Sequence, residues 1–220
     1  MSKDIKVISG ADAGGTFTDF VAVDGENQLL KVGKSLSTPD DPAKAISESS
    51  KRAGIETSDI NLLIYGTTIA TNTLLERKGA KVGLLATHGF RDLLATQRVT
   101  RPDHFDLHWQ KTEPLVPRSL RLGVRERVLA SGEIEVPLDC DDLKRQVKRM
   151  QQQQVDSIAV AFLFSFMNPS HEELTREIIR ELAPEIKVSI SSQVLPKWGE
   201  FARTSTTVID AYLKPILKNY

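Results

Sequence analysis

Near its N-terminus the chain reads Asp12, Ala13, Gly14, Gly15, Thr16, Phe17, Thr18, Asp19 without interruption. Adjacent glycines let a backbone approach an anion closely, so that successive N–H groups can point at a phosphate, and Thr16 and Thr18 add hydroxyl donors. Asp12, at the end of the preceding strand, is placed to hold a magnesium ion through water or to orient an attacking group, because magnesium takes few carboxylates alongside phosphate and water. Neither the Walker loop nor the Rossmann glycine pattern is present. The stretch therefore reads either as a hairpin-type phosphate site or as a plain tight turn between strands.

Thr67, Thr68, Thr71, Asn72 and Thr73 crowd the start of a predicted helix. Free N–H groups and the positive end of the dipole favour an anion or a substrate carbonyl there, although capping and packing of the first turn would use the same residues. Arg91, Arg98 and Arg101 surround Asp92 and Asp103, a grouping suited to carboxylate or phosphate recognition or to structural salt bridges. His104 and His108 stand at i and i+4, as a zinc pair on a helix would, but Pro102 argues against a helix and for loop histidines. Cys140 is the sole cysteine and forms no internal disulfide; it reads as a small half-buried residue in a reducing cytoplasm.

The elements that must position these groups follow from periodicity and punctuation. Strands are predicted at Val7–Ile8, 20–23 and 29–32, then a helix from Pro42, capped by Asp41, to Gly54. A strand at 62–65, a helix over 67–78 closed by a left-handed Gly79, and a strand at 81–86 come next. Residues 96–138, with Pro102, Pro114, Pro117 and Pro137, read as an irregular connection. Beyond it lie a helix over 139–153 with Leu143, Val147 and Met150 inward, and a buried strand over 157–164. A helix boxed by Ser170 and Glu173 with Leu174, Ile178 and Leu182 inward leads to a strand over 187–190. A last helix from near Thr204 carries a stripe of Val208, Ile209, Tyr212, Leu213, Ile216 and Leu217, kinked by Pro215, and its part after Ala211 is expected to dock on a partner. The expected organisation is 1–95, 96–138 and 139–220 in an α/β protein with a mainly parallel or mixed sheet.

The chain has 220 residues, and 29 Lys+Arg balance 29 Asp+Glu, so no basic excess points to nucleic acid or to an anionic membrane. With 40% hydrophobic residues it is an ordinary globular composition, and disorder is excluded. The most apolar run, 157–167, is shorter than the roughly 20 residues a membrane helix needs. A soluble, cytoplasmic protein without an export signal is expected.

Asp12–Asp19 resembles the first phosphate hairpin of the actin, sugar kinase and heat-shock ATPase superfamily, and more narrowly the opening D-x-G-G-T-F-T-D stretch of the hydantoinase A/5-oxoprolinase family. Further matches are Tyr65–Gly79, Val82–Leu85, Gly89–Asp92, Arg101 with Pro102, and Pro114–Arg118. Glu126 with Arg127, Gly132 with Glu133, and Arg203–Thr207 extend the likeness over nearly the whole chain. Tyr65 departs from it, standing where many members have His.

The resemblance implies the N-terminal lobe of an actin-like (ribonuclease H-like) ATPase fold, a mixed sheet with flanking helices. It also implies ATP and Mg2+ as cofactors and ATP-dependent phosphorylation of a carbonyl oxygen, on a cyclic amide such as a hydantoin or 5-oxoproline that is then hydrolysed, or on a ketone that is then carboxylated. Asp12 would be the catalytic and metal-holding residue. Gly14, Gly15, Thr16, Thr18, Thr67 and Thr68 would bind nucleotide, and Asn72 and Arg91 substrate. Residues 93–220 carry no second phosphate hairpin, so a second lobe or partner subunit is expected in a hetero- or homo-oligomer, and the chain alone is expected to be inactive. A non-catalytic module and a sugar-kinase-like phosphotransferase are the competing readings.

Overall fold

A computed structural model describes residues 7–24, 29–38, 41–98, 103 and 105–217. They form two compact units that meet in sequence at Glu76 and Arg77.

The first unit runs β1 (Val7–Ala13), β2 (Phe17–Asp24), β3 (Leu29–Leu36), α1 (Pro42–Arg52), a 3-10 turn (Thr57–Asp59), β4 (Leu62–Thr67) and α2 (Ile69–Leu75). Its sheet has the order β3-β2-β1-β4, in which β1 pairs antiparallel with β2 and parallel with β4. Asp41 accepts the Lys44 N–H at 3.3 Å and Pro42 opens α1, as the sequence predicts. Alternation along the strands sends Val7, Ala11, Phe20 and Ala22 to one face, where they pack with Ile55, Ile46 and Ala53. Gly33, across from Phe20 on that face, has no room for a side chain, since a Cβ would fall 1.9 Å from the Ser49 carbonyl oxygen of α1.

The opposite face of the same sheet is apolar and open. Leu30, Val23, Ile8 and Leu62 stand in one cross-strand row and Val32, Val21, Gly10 and Ile64 in the next, and Val32 and Ile64 are each 64% exposed. The third row is Lys34, Asp19, Asp12 and Gly66, so the polar end of this face lies at the turn that joins β1 to β2.

The second unit contains β5 (Val82–Thr87), α3 (Leu93–Thr96), a 3-10 turn (Arg118–Leu120), β6 (Arg121–Val124), β7 (Arg127–Val128) and β8 (Ile134–Val136). It continues through α4 (Cys140–Gln152), β9 (Ser157–Ala161), α5 (Ser170–Leu182), β10 (Lys187–Ile190), α6 (Ser191–Val194) and α7 (Glu200–Leu217). The sheet order is β10-β9-β5-β6 with all pairs parallel, and β7 with β8 forms a separate antiparallel ribbon. Leu143, Val147 and Met150 of α4 are fully buried, as their spacing predicts, and the thioether of Met150 fills the space that a Cβ at Gly83 would need.

Several expectations are corrected. The sequence places a boundary near residue 95, whereas β5 lies between β9 and β6 and so belongs to the second unit; the stretch 96–138 contributes β6 to that unit's sheet. The second helix ends at Leu75, and the left-handed residue after it is Arg77 (φ 54°), not Gly79. The box of Ser170 with Glu173 does not form: the Asn168 side chain receives the Ser170 N–H, and Pro169 caps α5 without a side-chain bond. α5 buries His171, Glu172, Thr175 and Ile179, while Leu174 and Leu182 are more than 40% exposed.

The last helix starts at Glu200, packs on β9 and β10, and buries Thr204, Thr207, Val208, Ala211 and Tyr212. Of the predicted stripe, Tyr212 belongs to this unit's own core and Leu217 is exposed.

Candidate functional site

The turn joining β1 to β2 is held from three sides within the first unit. Gly14 donates its N–H to the Phe17 carbonyl at 2.9 Å, which closes the hairpin. Ser37, just after β3, donates its N–H to the Thr16 carbonyl at 2.9 Å and its hydroxyl to the Gly14 carbonyl at 2.8 Å. Thr18 is fully buried and its hydroxyl pairs with that of Ser37 at 3.1 Å, so it braces the hairpin from beneath. Gly15 and Thr16 form the exposed tip.

Neither Gly14 nor Gly15 has a positive φ. Their requirement is one of space. A Cβ on Gly14 would meet the Phe17 carbonyl oxygen at 3.1 Å, and one on Gly15 would meet the Asn72 side-chain nitrogen at 3.1 Å. The third side of the turn is the β4–α2 junction, where the Thr67 hydroxyl donates to the Ala13 carbonyl at 3.2 Å and accepts the Ile69 N–H at 3.2 Å. Asn72 reaches back to the Thr68 hydroxyl at 3.2 Å. With seven residues α2 has a small dipole, and the threonines at its start hold the junction together.

Asp12 stands directly across from Asp19 in the β1–β2 register, and both are exposed. Asp19 pairs with Lys34 at 2.9 Å. Gly66 lies beside Asp12 on β4, and a Cβ there would stand 3.9 Å from the Asp12 carboxylate, so the carboxylate has free space toward that strand. These two acids border a groove of about 340 Å³ on the open face, lined also by Gly10, Val21, Val32 and Ile64. Asp19 is engaged by Lys34, whereas the Asp12 carboxylate, facing open space, fits a hard divalent cation that retains most of its water. Among the described residues no group of three or more His, Cys, Asp and Glu is assembled as a metal cage.

In the second unit Arg91, one of the three arginines of the predicted grouping, lies 3.8 Å from Asp92. The sequence reading missed the other contributors, Arg118 and Arg121, which reach Asp92 from the 3-10 turn and the first residue of β6. Arg98 is exposed, and Arg101, Pro102 and His104 lie outside the described residues. His108 is exposed and sits in a turn, not on a helix.

A buried polar network also went unforeseen. Glu126, just after β6, accepts from Thr87 and pairs with His171 at 2.8 Å, while Thr87 accepts the Leu163 N–H at 2.9 Å. Glu172, fully buried, accepts from Phe162 N–H, Ser191 Oγ and Ser192 N–H at 2.6–2.9 Å. Arg203, 1% exposed, donates to the Phe162 carbonyl at 2.6 Å and lies over the Phe166 ring; burial pulls its guanidinium below the usual range. Connections leave β5 and β9 in opposite directions, which makes their C-terminal ends the position where open α/β sheets take ligands. Here the protein's own Thr87, Glu126 and His171 fill it.

No described helix is long and apolar enough to cross a membrane. The family model for the hydantoinase/oxoprolinase N-terminal region matches residues 8–183. The chain is 37% identical to the caprolactamase alpha subunit of Pseudomonas jessenii, covering 96% of this chain and 32% of that one. It is 37% identical to the acetophenone carboxylase gamma subunit of Aromatoleum aromaticum, covering 94% and 31%.

Two solved structures superpose with a TM-score of 0.85. The crystal structure of the ATP-dependent caprolactamase from Pseudomonas jessenii is 35% identical, covering 96% of this chain and 32% of that one. Nucleotide-free acetone carboxylase is 28% identical, covering 95% and 32%. The mixed α/β fold is thus shared with these proteins and is consistent with an actin-like ATPase lobe. The chain spans about a third of the length of the relatives it matches. It therefore belongs to the hydantoinase/oxoprolinase family, as its N-terminal region.

Proposed function

We propose that this chain supplies the first phosphate hairpin of an ATP-dependent enzyme that activates a cyclic amide by phosphorylating its carbonyl oxygen and then opens the ring with water. The observation that carries the reading is the braced Gly14–Thr16 turn, with Asp12 beside it on the same sheet face. ATP would supply the phosphoryl group, and Mg2+ would offset its charge. Transfer to the amide oxygen makes the ring carbon electrophilic; one water adds to that carbon and the ring C–N bond breaks, the nitrogen taking a proton and the carbon keeping an acyl phosphate. A second water hydrolyses the acyl phosphate to the open-chain acid and phosphate. Such catalysis rests on positioning and electrostatics more than on covalent work by side chains.

In this reading Gly14 keeps the turn closed, and Gly15 and Thr16 present backbone and hydroxyl donors to phosphate. Thr18 holds the turn from beneath, and Thr67 and Thr68 anchor β4 to it. Asn72 reaches the hairpin tip and belongs to the substrate side, as Arg91 does in its own unit. Asp12 holds the cation through water. The rest of the nucleotide site would come from a second lobe or a partner subunit. Mutation of Asp12→Asn in the complete enzyme assembly is expected to lower substrate-dependent ATP turnover roughly 10- to 100-fold and to raise the magnesium concentration needed for half-maximal rate. Unchanged turnover and magnesium dependence would remove Asp12 from the site.

Identity to acetophenone carboxylase favours a second reading, in which the phosphorylated oxygen is that of a ketone enolate and the product is a carboxylate. Assay of the assembly with ATP against a lactam, a hydantoin and a ketone with bicarbonate separates the two.

A further inference from the structure

Three guanidinium groups converge on one carboxylate at the end of β5. Arg121 reaches Asp92 at 3.3 Å, Arg118 at 3.4 Å and Arg91 at 3.8 Å. Asp92 opens α3 as its N-cap, a position from which an Asp side chain ordinarily accepts a helix N–H; here it makes no such bond and its carboxylate takes the arginines instead. Three guanidiniums carry about fifteen N–H donors, and one carboxylate offers about four lone-pair sites. The group therefore holds an excess of positive charge and of donors.

Arg121 sharpens this imbalance. Its side chain is only 6% exposed, and its Nε is buried without a hydrogen-bond partner. A buried donor without a partner is costly, more so on a charged group. Burial pulls the Arg121 guanidinium below its usual range; Asp92 opposes that drop, and Arg118 and Arg91 add to it. Asp92 and Arg91 are each 42% exposed and Arg118 is 66% exposed, so solvent reaches the cluster on one side.

We propose that Arg91, Arg118 and Arg121 form an oxyanion site, which Asp92 occupies in part and which takes a carboxylate or phosphate group of a small molecule. Both groups match the planar guanidinium fork through paired N–H···O contacts. The site extends the assignment of Arg91 to the substrate side and names the chemistry it would recognise. It lies wholly in the second unit and does not depend on the phosphate hairpin.

The test is calorimetric titration of the 220-residue chain with inorganic phosphate and, separately, with succinate at constant ionic strength, alongside Arg Nε–H resonances followed by NMR. Saturable binding with a shift of the Arg121 resonance is expected in at least one titration, and the anion that binds more tightly names the ligand class. Asp92→Asn removes the competing carboxylate and should tighten binding roughly fivefold, the effect of one charge at about 4 Å in water. Arg118→Gln and Arg91→Gln, at exposed positions that should leave the fold intact, should each weaken binding by a similar factor. Binding of neither anion to the wild type and Asp92→Asn, or affinities unchanged by Arg118→Gln and Arg91→Gln, would overturn the site. Neither result would bear on ATP turnover at the hairpin.

Discussion

The ring of Tyr212 occupies the space above Gly79: a Cβ at position 79 would lie 2.0 Å from the Tyr212 Cε1, and the Tyr212 carbonyl accepts the Ala80 N–H at 3.0 Å. This pair fastens the segment before β5 to the middle of α7. The ring itself is 5% exposed and hemmed in, so it cannot yield cheaply. Gly79→Ala is therefore expected to cost about 1–3 kcal/mol by overpacking, read as a lower denaturation midpoint in urea with an unchanged slope. A midpoint within error of the wild type would mean that the ring moves aside freely.

The hairpin predicts the opposite separation of effects. Gly15→Val must displace the Asn72 amide at the exposed tip and leaves the buried Phe20 and Ala22 untouched. In the complete assembly, ATP turnover should be abolished while the melting temperature moves by only a few degrees. Wild-type turnover in this variant would remove Gly15 from the nucleotide site.

Arg203 gives a third prediction. Removing a buried, hydrogen-bonded charge leaves its partners unpaired, so Arg203→Met should cost roughly 3–5 kcal/mol in denaturant unfolding. Arg203→Lys retains the charge but not the planar fork over Phe166, and should recover only part of the loss.

Acid unfolding should register Asp142. Burial alone would raise its pKa, but the Arg125 N–H, Gln146 and Arg145 bond the carboxylate and bring it below its usual value. A carboxyl whose folded pKa is depressed stabilises the protein fully above the unfolded value of about 3.8, and that stability is lost as pH falls through the folded pKa. Asp142→Asn should thus lower the melting temperature at pH 7 and bring it closer to wild type as pH falls below about 4. A constant offset between the two melting curves from pH 7 to pH 2 would contradict the assignment.

The glycine turn between β1 and β2, the Asp41–Pro42 helix start and the apolar face of α4 were legible because each depends on local geometry or on an unbroken hydrophobic period. α5 was misread because its buried residues are His171, Glu172 and Thr175; hydrophobic periodicity instead selects Leu174 and Leu182, which face outward. The same blindness hid Arg203, Thr204 and Thr207 on α7. Gly79 was misassigned because a glycine after a helix suggests a left-handed cap, while the reason for this one lies 133 positions away at Tyr212. Arg118 and Arg121 were missed for a related reason: only the pairing of β6 with β5 brings them to Asp92, and nothing local announces a parallel pair. At the candidate site, the brace from Ser37 was invisible for want of any motif.

The open face of the first sheet separates two quantities that usually change together. Val32 and Ile64 contribute little burial, so a charge placed at either position should alter how copies of the chain meet one another far more than how firmly each copy is folded. Tolerance measured by unfolding and tolerance measured by yield of dispersed protein would then disagree along these strands. The mutational record of this face would read as a map of colloidal behaviour, and that of the α1 face as a map of folding.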